Sequence, residues 1–293
     1  MKEELSDMAK NDLGRTIIDE LRLCYVAKSA LLTELSGLGF NDLYYYGEFS
    51  LQRIENKHFN YYFIVFHSFD SDKFEIVASI RFGLKGSDEN ANYIYYRIEN
   101  KVLYNNDMLR TTLMLPDNLG MVFHHITSID LARDYVFDVV KRIRKFARTE
   151  KVKVIINGKV IDKTKDCKDG MFIFPLNFKR LANPTISIKQ AKARKDKHKG
   201  LTMCVYNKDK EIKDVSHKNY IKSFYGNPKF LHRLEIHQNN DEIKDFCKTI
   251  GIKQVLSLIF NQDFLDEMFN THLSSLLRFT MGRKTIKWND ILQ

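Results

Sequence analysis

Residues 230–238, FLHRLEIHQ, alternate between polar and apolar side chains from Arg233 to His237. This pattern predicts a β-strand, because successive strand residues point to opposite faces of a sheet. Glu235 and His237 then lie on one face, while Leu234 and Ile236 lie on the other. The strand therefore presents a carboxylate and an imidazole on the face opposite to its apolar residues.

Two shorter segments, SID at 128–130 and CVYNK at 204–208, also have the character of strands. Alternation puts Ser128 and Asp130 on one face of the first segment. It puts Cys204 and Tyr206 on one face of the second. These faces can meet the face of Glu235 at a single site.

Together the three segments predict a metal-assisted tyrosine site. The carboxylates of Asp130 and Glu235 and the imidazole of His237 can hold Mg²⁺ or Mn²⁺, and the imidazole favours Mn²⁺. Such a cation polarises a phosphodiester, which Tyr206 can then attack. A phenol has an unperturbed pKa of about 10, so it needs help to lose its proton. Lys208 can provide positive charge beside the phenol or hold a phosphate.

Each of these residues also has a plain structural interpretation. Tyr206 is one of 14 tyrosines, and a strand tyrosine usually packs. Glu235 and His237 can form cross-strand charge pairs on a solvent-facing strand. Asp130 can belong to a strand-to-helix turn, with Asp134 as the cap of the following helix. The residue types alone leave both interpretations open.

Two further segments each allow more than one functional interpretation. His124 and His125 form another candidate pair, but neighbouring strand residues point oppositely, so at most one of them can face the tyrosine site. The strand predicted at 93–104 is dense in aromatic residues, which indicates sheet packing, with a base-stacking surface as the alternative.

Composition limits the class of protein. The chain has 293 residues, 44% of them hydrophobic, so it can bury a core. Its net charge of +10 favours a polyanionic partner, either nucleic acid or an anionic membrane surface. It has no run of about 18 apolar residues and no signal-peptide pattern, so we expect no membrane span. Its four cysteines form no C-x-x-C pair and indicate reduced thiols in a cytoplasmic protein.

Strand candidates followed by helix candidates recur in both halves of the chain. This order predicts an α+β fold with a mainly antiparallel sheet and helices on one face. The clearest helix is predicted at 134–148, where an apolar stripe opposes basic residues. Asn157 and Gly158 predict the type I′ turn of a hairpin.

The sequence also predicts the domain organisation of the chain. We find no repeats and no low-complexity linker, so one domain is expected. It is flanked by a polar start and a basic end. The predicted ranges are a frayed N-terminus at 1–13, one α+β domain at 14–279 with related halves at about 14–121 and 122–279, and a basic tail at 280–293.

A basic run at 189–199 lies just before the predicted tyrosine strand. It holds six cations against one acid, which predicts contacts with the DNA backbone. Arg233 is a further expected DNA contact. The cations of the run are Lys189, Lys192, Arg194, Lys195, Lys197 and Lys199.

The segments IDLARD at 129–134, YNKDKE at 206–211 and RLEI at 233–236 resemble the replication initiation factor family. These are the rolling-circle replication initiators of small plasmids and related mobile elements. That family has an aspartate strand before a helix, a tyrosine-x-lysine-x-x-glutamate strand and an arginine-x-glutamate strand. Here Ser128 and Cys204 stand where the family often has an arginine or a similar residue.

The resemblance implies a relative of the HUH nuclease fold with duplicated strand–helix halves. It implies a metal-dependent, site-specific DNA endonuclease and strand transferase, with Tyr206 as nucleophile and Asp130 and Glu235 at the metal. Such an initiator nicks one strand at the origin, forms a 5′-phosphotyrosine and leaves a 3′-hydroxyl for rolling-circle replication. Its expected partners are origin DNA, single-stranded or cruciform at the nick, together with a second copy of the chain and a host helicase.

Two other classes stay open. A non-catalytic DNA-binding initiator or regulator would use the basic helix and the basic tail. That class is rich in helical recognition modules, whereas this chain is rich in predicted strands up to residue 238. A mobilisation relaxase would share the chemistry, but the tight His-hydrophobic-His motif usual in that class is absent.

Overall fold

The structure is a computed structural model, and it describes residues 13–67, 74–84, 92–162, 172–173, 185–190 and 200–292. It is a mixed α+β fold dominated by antiparallel strands, as the sequence predicts. The chain divides into two compact units. Unit 1 comprises the described residues within Met1–Ile18, Asp130–Ile252 and Ser257–Gln293. Unit 2 comprises those within Asp19–Ile129 and Lys253–Leu256.

The strands are numbered in chain order. They are β1 Ile17–Val26, β2 Leu43–Tyr46, β3 Phe49–Ile54, β4 Phe59–His67, β5 Phe74–Leu84, β6 Tyr93–Ile98, β7 Val122–Tyr135, β8 Val152–Ile156, β9 Lys159–Val160, β10 Phe172–Ile173, β11 Ile186–Lys189, β12 Thr202–Asn207, β13 His232–Asn239, β14 Leu277–Met281 and β15 Lys284–Thr285.

The helices are numbered in the same way. They are α1 Ser29–Gly37, α2 Asn106–Asn118, α3 Val139–Arg148, α4 Lys208–Glu211, α5 Asn219–Phe224, α6 Asn240–Thr249, α7 Gln262–Leu276 and α8 Trp288–Leu292. Two 3₁₀ turns, Asn100–Tyr104 and Leu256–Phe260, and a π turn at Ile212–Ser216 complete the described elements.

Unit 2 contains an antiparallel sheet in the order β1-β6-β5-β4-β3-β2. One of its faces is apolar, because Tyr62, Ile80 and Tyr96 lie opposite one another on adjacent strands and are buried. The hydroxyl of Tyr62 donates to a carbonyl of α1, and that of Tyr96 donates to the Thr112 carbonyl of α2 at 2.9 Å. The two helices therefore cover this face.

Unit 1 contains the strand order β10-β11-β12-β13 followed by the last part of β7, and a smaller sheet in the order β15-β14-β8-β9. Ile188, Met203 and Ile236 lie side by side on three adjacent strands and are fully buried. Helices α3, α6 and α7 pack against β12 and β13. The apolar set of each strand thus forms the core, and the alternate residues form the other face.

The helix predicted at 134–148 is shorter than expected. Strand β7 continues to Tyr135, and α3 begins at Val139. Asp138 caps this helix, since its side chain accepts a hydrogen bond from the Lys141 backbone N–H at 2.7 Å. Asp134 is therefore a strand residue, and its predicted role as the cap is wrong.

Two other local predictions have clear outcomes, and one helix was not predicted. The type I′ turn is confirmed, because Asn157 and Gly158 have φ angles of 48° and 78°. The strand predicted at 93–104 ends at Ile98 and continues as a 3₁₀ turn. Helix α2 was not predicted at all; Asn105 caps it by accepting from the Met108 backbone N–H.

The predicted end segments are partly described. The frayed N-terminus at 1–13 lies outside the described residues except for Leu13. The predicted tail at 280–293 holds the end of β14, β15 and α8, in which Trp288, Ile291 and Leu292 are buried. Among the helices that the structure describes, none has the length and apolarity needed to cross a membrane.

Candidate active site

The face of the unit 1 sheet that lies opposite the helices is polar on four adjacent strands. The register pairs Ser187 with Cys204 and Cys204 with Glu235, so these three share one row. Lys189 pairs with Thr202 and Thr202 with His237 in the next row. We call this surface the polar face; it comprises Asp130, Asp134, Ser187, Lys189, Thr202, Cys204, Tyr206, Arg233, Glu235 and His237.

Strand β7 supplies two carboxylates to the polar face. Asp130 Oδ1 lies 2.5 Å from His237 Nδ1. Asp134 receives two hydrogen bonds from the Arg233 guanidinium, at 2.8 and 2.6 Å. The two contacts are four residues apart on each strand and run in opposite directions, as antiparallel neighbours require. Alternation on β7 and β13 therefore places all four side chains on the same face.

Tyr206 is held at its hydroxyl by two charged side chains. Its Oη donates a hydrogen bond to Glu235 Oε2 at 2.9 Å, and Lys208 Nζ lies 3.5 Å from the same Oη. Lys208 is buried and forms an ion pair with Glu211 at 2.9 Å. The phenol therefore has a proton acceptor and a fixed positive charge at its oxygen.

The chain turns sharply at the end of β12, which explains the position of Lys208. Asn207 caps α4 by accepting a hydrogen bond from the Lys210 backbone N–H at 2.8 Å. Lys208 is the first residue of that helix and not a strand residue as predicted. One helical turn later, Glu211 lies beside it, so the sequence Tyr206-x-Lys208-x-x-Glu211 encodes a connected chain of side chains.

Cys204 occupies the position where the resembled family often has a cationic residue. Its Sγ lies 3.7 Å from the Ser187 hydroxyl. Burial raises the pKa of the Cys204 thiol; the Ser187 hydrogen bond and Lys189 lower it, and Glu235 and Asp130 raise it. The thiol is therefore neutral near pH 7, and Lys189 provides positive charge near the row of Cys204 and Glu235.

The polar face carries the donor types that a hard divalent cation takes, whereas the group of ligand atoms within 4.8 Å of one another among the described residues lies elsewhere, at Cys24, His124 and His125. Asp130 and Glu235 offer carboxylate oxygens and His237 offers an imidazole, which is the composition expected for Mg²⁺ or Mn²⁺. Asp130 and His237 also form the carboxylate–imidazole contact that commonly orients a ligating histidine.

Not every predicted site residue lies where the sequence suggested. The predicted DNA contact at Arg233 is wrong, because its side chain is 0% exposed and is paired with Asp134, which is also 0% exposed. Lys189 lies exposed at the edge of the polar face. The predicted contacts Lys192, Arg194, Lys195, Lys197 and Lys199 lie outside the described residues.

The candidate pair His124 and His125 belongs to unit 2, whereas the polar face belongs to unit 1. The two rings approach each other, with 2.6 Å between their Nδ1 atoms. The expectation that neighbouring residues of this strand point apart is therefore wrong for this pair.

Comparison with known proteins identifies no family for this chain. No family model matches the chain, and no curated protein matches it. A solved structure described as Methanococcus jannaschii TBP aligns with 86% of this chain and 99% of its own, at 8% identity and a TM-score of 0.26. A likeness this low carries no argument about fold or function.

Proposed function

We propose that the polar face is the active site of a DNA-nicking enzyme, and that the protein initiates rolling-circle replication of a plasmid or mobile element. The observation that carries the proposal is the position of Tyr206 Oη, 2.9 Å from Glu235 Oε2 and 3.5 Å from Lys208 Nζ. All three residues belong to segments that resemble replication initiators. Contact geometry and sequence resemblance thus support the same nucleophile.

In the proposed reaction, Tyr206 Oη attacks the phosphorus of a phosphodiester in one DNA strand. The bond from Oη to phosphorus forms, and the bond from phosphorus to the 3′-oxygen breaks. The phenol proton passes to Glu235, and the departing 3′-oxygen takes a proton from water. The products are a 5′-phosphotyrosine and a 3′-hydroxyl. Lys208, held by Glu211, offsets the negative charge that develops at Oη and the phosphate.

A divalent cation held by Asp130, Glu235 and His237 would polarise the scissile phosphate. The chain's own residues orient the other groups. Asp130 fixes the ring of His237, and the buried pair of Asp134 and Arg233 fixes β13 against β7 next to them. The donors that would bind the cation and the groups around Tyr206 thus rest on one rigid set of strands.

We further propose that units 1 and 2 are related halves of an HUH-like nuclease. The support is their common plan. Each unit has antiparallel strands whose apolar face is covered by helices, and each leaves charged side chains on the other face. Only the half with β12 and β13 carries the tyrosine and the carboxylates of the polar face.

Nucleic acid is the partner that fits the surface of unit 2. Arg97 lies opposite Arg22 on one row of its open face, and Arg81 lies between Tyr95 and Tyr61 on the next row. We call these five residues the arginine–tyrosine face. The Arg81 guanidinium lies 5.3 Å from the ring centre of Tyr95, and the five residues line a cavity of about 180 Å³. Arginines interleaved with aromatic rings suit a single strand, whose phosphates bind cations and whose bases stack.

The same face favours a second candidate function, a DNA-binding initiator without catalysis. Such a protein would keep the arginine–tyrosine face and would use Tyr206 and its neighbours only for packing. The two functions differ in covalent chemistry. A supercoiled plasmid that carries the cognate origin, incubated with protein and Mn²⁺, would be nicked by the enzyme and only bound by the other protein. Failure to nick any origin while DNA binding persists would favour the second function.

Asp130→Ala and Glu235→Ala are each expected to lower the nicking rate by about 10²-fold to 10⁴-fold. Each removes a carboxylate donor, and the second also removes the acceptor of the phenol proton. Calorimetry should show weaker Mn²⁺ binding in both variants. Glu267→Ala, at an exposed acid on α7 of the same unit, is the matched control and should change neither property. Unchanged Mn²⁺ affinity in both carboxylate variants would remove the metal assignment.

Substitution of Arg81 and Arg97 by glutamine should weaken binding to a single-stranded oligonucleotide. Loss of two phosphate contacts should reduce the slope of log affinity against log salt by about 1.4, at roughly 0.7 per contact. Lys57→Gln with Arg110→Gln removes the same charge from exposed positions outside this face. Fluorescence anisotropy measures both proteins. Equal slopes in the two double variants would show that the arginine–tyrosine face does not bind the strand.

A further inference from the structure

Unit 2 contains a compact cluster of three metal-ligating side chains, whereas the polar face belongs to unit 1. Cys24 lies near the end of β1, while His124 and His125 lie near the start of β7. Their ligand atoms, one sulfur and two nitrogens, all lie within 4.8 Å of one another. In the described part of the chain, this cluster brings one thiol together with two imidazoles.

The two histidines adopt an unusual arrangement for neighbours on a strand. Regular alternation would point them to opposite faces. Instead their Nδ1 atoms lie 2.6 Å apart, and their ring centres are 4.9 Å apart with planes at 70°. The ring of Tyr93 packs edge-on against His124, with 5.1 Å between centres. The two Nδ1 atoms thus lie at hydrogen-bonding distance from each other, on the same side of the strand.

Cys24 supplies the third donor from the neighbouring strand. Its side chain is 1% exposed, and its register partner on the other side is Tyr95. His124 is exposed and His125 is half-buried, so the cluster reaches from the interior of the sheet to solvent. A cation bound to these atoms would have protein ligands on one side and solvent on the other.

We propose that Cys24, His124 and His125 form a binding site for a borderline-soft divalent metal, with Zn²⁺ as the best match. One thiolate and two imidazoles are typical zinc ligands, at about 2.3 Å for sulfur and 2.0–2.1 Å for nitrogen. Ligands at those distances on a tetrahedral ion lie roughly 3.3–3.7 Å from one another. The three ligand atoms already lie within 4.8 Å of one another, and side-chain rotation would bring them to that spacing. The fourth position faces solvent, where a water molecule can complete the tetrahedron.

Binding at this site is coupled to a proton. The thiol of Cys24 must lose its proton to become a ligand, and burial raises the pKa of that thiol to about 11. Each bound ion therefore releases one proton from sulfur. The proposed Mn²⁺ donors of the polar face include no thiol, so the two sites differ in metal preference as well as in position.

The test uses Co²⁺ as a spectroscopic probe on the full chain. Wild-type protein should show a near-ultraviolet band for thiolate-to-cobalt charge transfer, and Zn²⁺ should remove it. Cys24→Ala should abolish the band. Cys247→Ala, at another buried cysteine, and Cys204→Ala, at the polar face, are matched controls that should retain it.

His124→Ala changes an exposed side chain and so tests the site even if Cys24→Ala fails to fold. It should weaken Co²⁺ binding by at least about tenfold while the melting temperature without metal stays unchanged. Asp130→Ala should leave the cobalt band intact, which separates this site from the proposed nicking site. Absence of the band in the wild type, or its survival in Cys24→Ala, would overturn the proposal.

Discussion

Replacing Tyr206 with phenylalanine is expected to abolish the covalent protein–DNA adduct and to lower the nicking rate by about 10⁴-fold or more. Phenylalanine keeps the ring in its place on β12 and removes only the oxygen that contacts Glu235 and Lys208. DNA binding should persist, because phosphate contacts elsewhere on the protein are unchanged. A denaturing gel with a labelled single-stranded origin oligonucleotide detects the adduct directly.

Tyr45→Phe provides the matched control for this experiment. Tyr45 lies on β2 of the other unit and is 67% exposed, so its hydroxyl can be lost without disturbing the core. This variant should form the adduct at the wild-type rate. An adduct that survived in Tyr206→Phe and disappeared in a different tyrosine variant would assign the nucleophile elsewhere. An adduct absent even from wild-type protein on its own origin would favour the non-catalytic function.

Sequence alternation predicted much of the polar face but not its pairing. Period-two patterns in β12 and β13 correctly separated Glu235 and His237 from Leu234 and Ile236. Such patterns cannot say which strands are neighbours or in what register, because many registers keep the same residues on the same face. Only the register shows that Cys204 lies opposite Glu235. It also shows that Ser187 and Lys189 belong to the same surface.

The helices show where local rules compete. Residues 134–148 carry a helical stripe, but the first of them, Asp134, is required in the strand as the partner of Arg233. Helix α2 was not predicted, and it contains a residue that usually ends helices, Pro116. The Thr112 carbonyl, four residues before Pro116, accepts a hydrogen bond from the Tyr96 hydroxyl in place of the missing N–H. The Asn105 cap with Leu109 and Leu113 four residues apart was the signal that could have revealed the helix.

Lys208 and Arg233 show a limit of another kind. Sequence reasoning places charged residues at the surface, and both were expected to work there. The structure buries both, each against a carboxylate that lies nearby in space. For Lys208 the partner is one helical turn away and can be foreseen from the sequence. For Arg233 the partner is 99 residues away, and no local pattern identifies it.

Arg233→Met is expected to lower the free energy of unfolding by about 3–5 kcal/mol. The substitution keeps an unbranched side chain of similar length but leaves the Asp134 carboxylate buried at 0% exposure without its two charged hydrogen bonds. An uncompensated buried charge costs far more than a lost surface ion pair. The unfolding midpoint in urea measures the loss, provided that the slope of the transition is unchanged.

Two companion variants separate charge burial from simple loss of an arginine. Arg148→Met, at an exposed position on α3, should change stability by less than about 0.5 kcal/mol. Arg233→Met combined with Asp134→Leu removes both charges together, and it should recover most of the lost stability because apolar side chains can replace a buried pair. Arg233 also lies opposite Tyr206 in the register. The double variant therefore tests whether the polar face requires the charge of Arg233 or only a well-packed side chain at that position. Wild-type stability with reduced DNA affinity in Arg233→Met would instead show that the side chain leaves the interior to bind a phosphate, contrary to the buried pair described above.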